Sequence, residues 1–130
     1  MSIAETRTWL KSRAESIKDM HGYTHPMQAY DYPCIVFDIV GANYETPGVT
    51  LVQFKAYLLA MAGDAEKGYE DLDEYIDATD GHSVKAALEA NVENYPIDYV
   101  VVKSCDDVGL VEFQGQRYYG AEFTVEVGAR

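Results

Sequence analysis

Asp73, Glu74, Asp77, Asp80, His82 and Ser83 crowd one short stretch, residues 72–91, LDEYIDATDGHSVKAALEAN. Carboxylates beside an imidazole are metal donors. A hydroxyl near both is the raw material of nucleophilic catalysis. Each chemistry sets a spacing, and the spacing is testable. A calcium loop of EF-hand type ending at Gly81 needs acidic residues at 76, 78 and 80. The chain has Ile76, Ala78 and Asp80 there, so one position fits and the motif fails. The zinc pattern H-E-x-x-H fails at once, because Ser83 follows His82. A Ser-His-Asp triad draws its members from separate parts of a fold and adds an oxyanion hole. His82 and Ser83 are chain neighbours, and no G-x-S-x-G precedes a helix.

Helix punctuation accounts for the same residues. Ala65, Tyr69, Leu72, Ile76 and Thr79 are spaced 4-3-4-3, which predicts a helix with an apolar stripe. Glu66, Glu70, Asp71, Asp73, Glu74 and Asp77 then form its solvated side. Gly68 weakens the first turn by ~1 kcal/mol relative to alanine. Gly81 is expected to terminate this helix. Ser83, or Asp80 just before it, is expected to cap a second helix marked by Val84, Ala87, Leu88 and Val92, which Pro96 stops. His82 becomes a junction residue. No catalytic residue, metal ligand or cofactor is therefore assigned, and the protein is expected not to be an enzyme.

The remaining elements follow from pattern. Ser2 and Glu5 form a capping box for a first helix, with Ile3, Leu10, Ala14 and Ile17 as its stripe and Trp9 at the stripe's edge. His21-Gly22 ends it, and His21 and His25 read as exit-loop residues. Residues 27–33 form an irregular, tyrosine-rich approach. CIVFDIVG, residues 34–41, is β-branched and bounded by Pro and Gly, so it reads as a strand. Gly41 to Gly48 reads as a loop. Residues 49–62 fit a helix through Leu51, Phe54, Leu58 and Met61, and a strand through alternate residues. The β-rich start VTLVQF favours a long strand paired with the Cys34 strand. DYVVVKSC and GLVEF are two more strands, with Asp106-Asp107 as a turn after the first. Gln114-Gly115 closes a hairpin into RYYGAEFTVEVGA. In that last strand Tyr119, Ala121, Phe123, Val125 and Val127 share one face. Tyr118, Gly120, Glu122, Thr124 and Glu126 share the other. The expected architecture is α+β, a single domain over residues 1–130. A mostly antiparallel or mixed sheet carries about three helices on one face.

Composition sets outer limits. A chain of 130 residues supports one domain with a real core. Twenty-two acidic against 10 basic residues give a net charge of −12, and no Lys/Arg cluster is present to replace DNA counterions. Direct nucleic-acid binding is not expected. No apolar segment reaches the ~18 residues that span a membrane. Cys34 and Cys105 are far apart in apolar stretches with no zinc spacing. Free buried thiols are the main reading and a disulfide the lesser one. The N-terminus has no signal-type apolar run, so a reducing cytoplasm is expected as the site of synthesis. Eleven tyrosines are many for this length, and Tyr44 in the Gly-Pro loop and Tyr118 on the open strand face are expected as exposed anchors.

The order of elements, and the segment L-D-E-Y-I-D-x-x-x-G-x-S-V-x-A-A-L at residues 72–88 followed by the hairpin GQRYYGAEFTVEV, resembles the tail terminator (tail completion) proteins of long-tailed bacteriophages. The resemblance implies a non-catalytic structural protein of the virion tail. It implies a homo-oligomeric ring, usually a hexamer, that caps the tail tube, stops its growth and meets the head–tail connector. The partners it implies are further copies of the chain, the tail-tube protein and the connector protein, on particles assembled in the host cytoplasm. On that reading Tyr44, Glu45, Tyr118, Glu122, Thr124 and Glu126 are candidate contact residues, while Ser2, Gly81 and Ser83 are helix caps. The rival expectations are a head-completion or connector protein, an acidic DNA mimic, and a metal or hydrolytic site on Asp77, Asp80 and His82.

Overall fold

The structure is a computed structural model that describes residues 2–62, 67–79, 81–90 and 97–129. Helix α1, Ile3–Ala14, starts at the expected capping box. Ser2 Oγ accepts from the Glu5 N–H (3.0 Å), and the Ser2 N–H donates to Glu5 Oε1 (3.4 Å). Its buried side chains are Thr6, Trp9, Leu10 and Ala14. Trp9 is therefore a core residue, 3% exposed, rather than an edge residue. Positions 6, 10 and 14 are one turn apart and set the buried face, and Trp9 lies beside them on it. The helix stops at Ala14, so Ile17 reaches the core from the following turn. Residues His21–Tyr23 are not an exit loop. They form a short strand, β1, parallel to Cys34–Val36.

Strand β2 is Cys34–Asn43 and β3 is Thr50–Ala62, paired antiparallel as expected. β2 runs two residues past the predicted start of the loop at Gly41, because a register shift between Ile39 and Gly41 lets pairing resume. Helix α2, Lys67–Ile76, ends well before Gly81. Asp77 Oδ1 accepts from the Thr79 N–H (2.8 Å), so an Asx-type turn follows the helix and Gly81 lies beyond it, in a separate turn. Gly81 is thus not the helix terminator. Helix α3, Val84–Glu89, begins at the predicted cap, with Ser83 Oγ accepting from the Ala86 N–H (3.1 Å). It ends at Glu89. Ala65, Val92 and Pro96, expected in these helices or at their ends, lie outside the described residues.

The chain closes with strand β4, Ile97–Phe113, and strand β5, Gln116–Ala129. DYVVVKSC and GLVEF belong to one strand. Asp106-Asp107 is not a turn but an irregularity within β4, where the register skips from Asp106 to Gly109 and Asp107 takes φ 53°. Gln114 (φ 53°) and Gly115 (φ 77°) make the expected two-residue hairpin turn, with positive φ at both positions. The sheet order is β1-β2-β3-β5-β4, mixed because β1 is parallel, so the α+β architecture holds.

One sheet face carries the main core. Ile35, Phe37, Val52, Phe54, Leu58, Phe123, Val125 and Val127 pack there with Trp9 and Leu10 of α1, Leu72 and Tyr75 of α2, and Val84 and Leu88 of α3. Asp73 and Glu74 face solvent, as the period of α2 predicts, and so does Asp77 in the turn after it. A second, smaller cluster lies apart from it: Cys34, Val36, Leu59, Phe113 and Tyr118, edged by Tyr23, Tyr30 and Tyr57. Both cysteines are free, Cys34 buried and Cys105 only partly so. Burial pushes the Cys34 thiol up to about 12 and the Cys105 thiol up to about 11, so neither is an activated nucleophile.

Candidate assembly surface

The crowded stretch resolves into local structure. His82 Nδ1 lies 3.3 Å from Glu74 Oε2, Asp77 organises its own turn, and Ser83, 1% exposed, caps α3. Asp80 lies outside the described residues. Among the described residues no three His, Cys, Asp or Glu side chains converge on a common point that would suit a metal ion.

The sheet face opposite the helices divides into two zones. In the first, alternation places Lys55 of β3, Glu122 and Thr124 of β5 and Lys103 of β4 side by side. Lys55 Nζ donates to Thr124 Oγ1 (3.2 Å) and pairs with Glu122 Oε1 (2.8 Å). The bond to Glu122 holds the Lys55 ammonium above its ordinary value. Glu126 accepts from Lys103 Nζ (3.2 Å) and from the Tyr99 hydroxyl (3.0 Å). The Lys103 bond, helped by Tyr99 and the Gln53 side chain, holds the Glu126 carboxyl below its usual range. A shallow cleft lined by Gly41, Ala42, Asn43, Leu51, Gln53 and Glu126 continues this zone toward the β2–β3 loop.

The second zone is aromatic and covered. Tyr118, expected to be exposed, is 4% exposed. The segment between β1 and β2 folds back across it. Tyr30 packs on Phe113 and donates from its hydroxyl to Gln114 Oε1 (2.5 Å), and it accepts from the Met27 N–H (2.8 Å). Tyr32 lies against Tyr118 at 6.0 Å between ring centres. Tyr118 is thus a packing residue of the second cluster rather than an exposed anchor. Tyr44 is as expected: it is 71% exposed in the β2–β3 loop. Beside it the Glu45 N–H donates to Asn43 Oδ1 (2.9 Å), which fixes the loop's entry.

The structure therefore brings Glu122, Thr124 and Glu126 together in one polar ladder, puts Tyr44 and Glu45 at a hairpin tip, and removes Tyr118. The sequence reading missed Lys55, Lys103, Tyr99 and Gln53, the partners of the acidic residues on β5. Alternation within β3 shows that Lys55 points away from the core face of Phe54 and Ala56. Its pairing with Glu122 depends on the register between β3 and β5. No protein-family model matches this chain, and no curated protein matches it either.

Proposed function

We propose that the chain is a structural virion protein: a non-catalytic tail terminator that assembles as a ring, caps the tail tube and presents the surface on which the head connector docks. The observation that carries this reading is the β2–β3 hairpin tip, where Tyr44 stands 71% exposed beyond an antiparallel strand pair. An exposed tyrosine joins a large apolar body to a polar tip, a pairing suited to protein contacts. The polar ladder of Lys55, Glu122, Thr124, Lys103 and Glu126 offers a second, charge-patterned surface beside it. Copies carrying −12 each would line a ring with negative potential, along which DNA slides rather than sticks.

The test is electron microscopy of phage particles assembled without this protein. Tails of uncontrolled length support termination. Tails of normal length that lack heads assign the chain to the connector instead, and normal particles refute both readings.

A further inference from the structure

Each edge of the sheet meets a glutamate from a helix or its cap. At β1 the Gly22 N–H donates to Glu15 Oε2 (3.4 Å), and at β4 the Val102 N–H donates to Glu89 Oε2 (2.9 Å). Each glutamate also pairs with the lysine four residues before it, Lys11 at 3.8 Å and Lys85 at 2.5 Å. Unpaired edge N–H groups are templates for another strand. A carboxylate that accepts from such a group takes it out of the template. β1 is only three residues long, so Glu15 guards most of it, whereas Glu89 guards only the first part of the 17-residue β4.

The far part of β4 has a different character. Phe113 and Gln116 flank a two-residue turn, so they form a hydrogen-bonded pair. The register is unbroken from Gly109 to Phe113. Alternation therefore aims the N–H and C=O groups of Leu110 and Glu112 away from β5, along the outer edge. Val108 and Leu110 are 49% and 51% exposed there. The exposed residues Asp106 and Asp107 make the near end of this edge acidic, and Arg117 on β5 stands opposite Glu112.

We propose that the β4 edge over residues 109–113, beyond the stretch that Glu89 guards, is a strand-addition site for an extended basic segment of another protein. Backbone hydrogen bonds at Leu110 and Glu112 would supply affinity. Asp106, Asp107 and a net charge of −12 select lysine or arginine on the incoming strand. A second copy would bring the same acidic residues, Asp106 and Asp107, to this edge, which disfavours it as the occupant. The proposal does not depend on the tail reading.

The probe is a fluorescent peptide about eight residues long that alternates valine and lysine, titrated against the whole chain by anisotropy. The expected result is saturable binding of this peptide and none of its valine–glutamate counterpart. Leu110→Pro removes an outward N–H at an edge position, where proline is tolerated. It should weaken binding about tenfold or more, the equivalent of one to two lost hydrogen bonds. In the unaltered chain, amide exchange at Leu110 and Glu112 should slow when peptide is added, a readout that stands even where the variant fails to fold. The proposal is overturned by absence of binding, by equal binding of both peptides, or by unchanged exchange at those two amides at saturation. Self-association of the chain that Leu110→Pro abolishes would also overturn it, because that places a second copy on the edge.

Discussion

Glu126 shows how one residue's surroundings set its chemistry. It lies in the alternating part of β5, so its side chain must leave the core face that holds Val125 and Val127. There it finds Lys103 and Tyr99 on the neighbouring strand. Its carboxyl is held below the ordinary range, chiefly by the Lys103 bond, so the charged form is favoured in the folded state. A depressed carboxyl stabilises the fold above its unfolded value, about 4.3 for glutamate. That contribution is lost as pH falls through the folded value. Glu126→Gln should therefore lower stability by up to ~1 kcal/mol at pH 7, a modest figure because Lys103 is solvent-screened. The gap to wild type should close below about pH 4. Urea unfolding at a series of pH values measures this, and a gap that is constant down to pH 3 would sink the assignment.

At the scale of elements, β3 and β5 approach closely at Gly120. A Cβ built there would lie 1.8 Å from the Leu58 carbonyl oxygen and 2.9 Å from its carbon. Both atoms are backbone, so no side chain can swing aside. The register between the strands breaks just beside this contact, between Leu59 and Met61. Gly120→Ala should thus force β3 and β5 apart and cost ~3 kcal/mol or more. Gly41→Ala is the control, since its Cβ would meet nothing within 4 Å. It should stay within about 1 kcal/mol of wild type. Thermal denaturation of both variants compares them directly, and equal melting temperatures would contradict the close approach. The helices show a simpler logic. Ser2 and Ser83 cap α1 and α3 as their positions in the sequence dictate, because a cap is a contact across only three residues.

For the whole molecule, charge is the dominant global property. Twenty-two acidic residues against 10 basic ones leave −12 to be held on one small domain. Self-repulsion of that size works against the compact state. Salt shortens its reach from about 10 Å at 0.1 M to about 3 Å at 1 M. Salt also weakens the ion pairs of the polar ladder, but their exposed members make each of them small. Moving from low salt to 0.5 M NaCl should therefore raise the melting temperature by roughly 3–5 °C, equivalent to about 1 kcal/mol for a domain of this size. A fall would mean that the pairs outweigh the repulsion. The same scale separates what the chain alone dictates from what folding adds. Capping serines, the Gln114-Gly115 turn, the alternation of β5 and the acidic face of α2 are all local, decided by residues within a turn or a hairpin, so the sequence contains them in full. The α+β layering follows from those periods. Tyr118 goes under Tyr32 because a segment more than 80 residues earlier folds back across its face. β4 continues through Asp106-Asp107 because β5 supplies a partner on both sides of the irregularity. The partners of Glu122 and Glu126, and the glutamates that guard the sheet edges, likewise come from strand register and helix placement. Those are long-range contacts between elements, and no local pattern encodes which ones will meet.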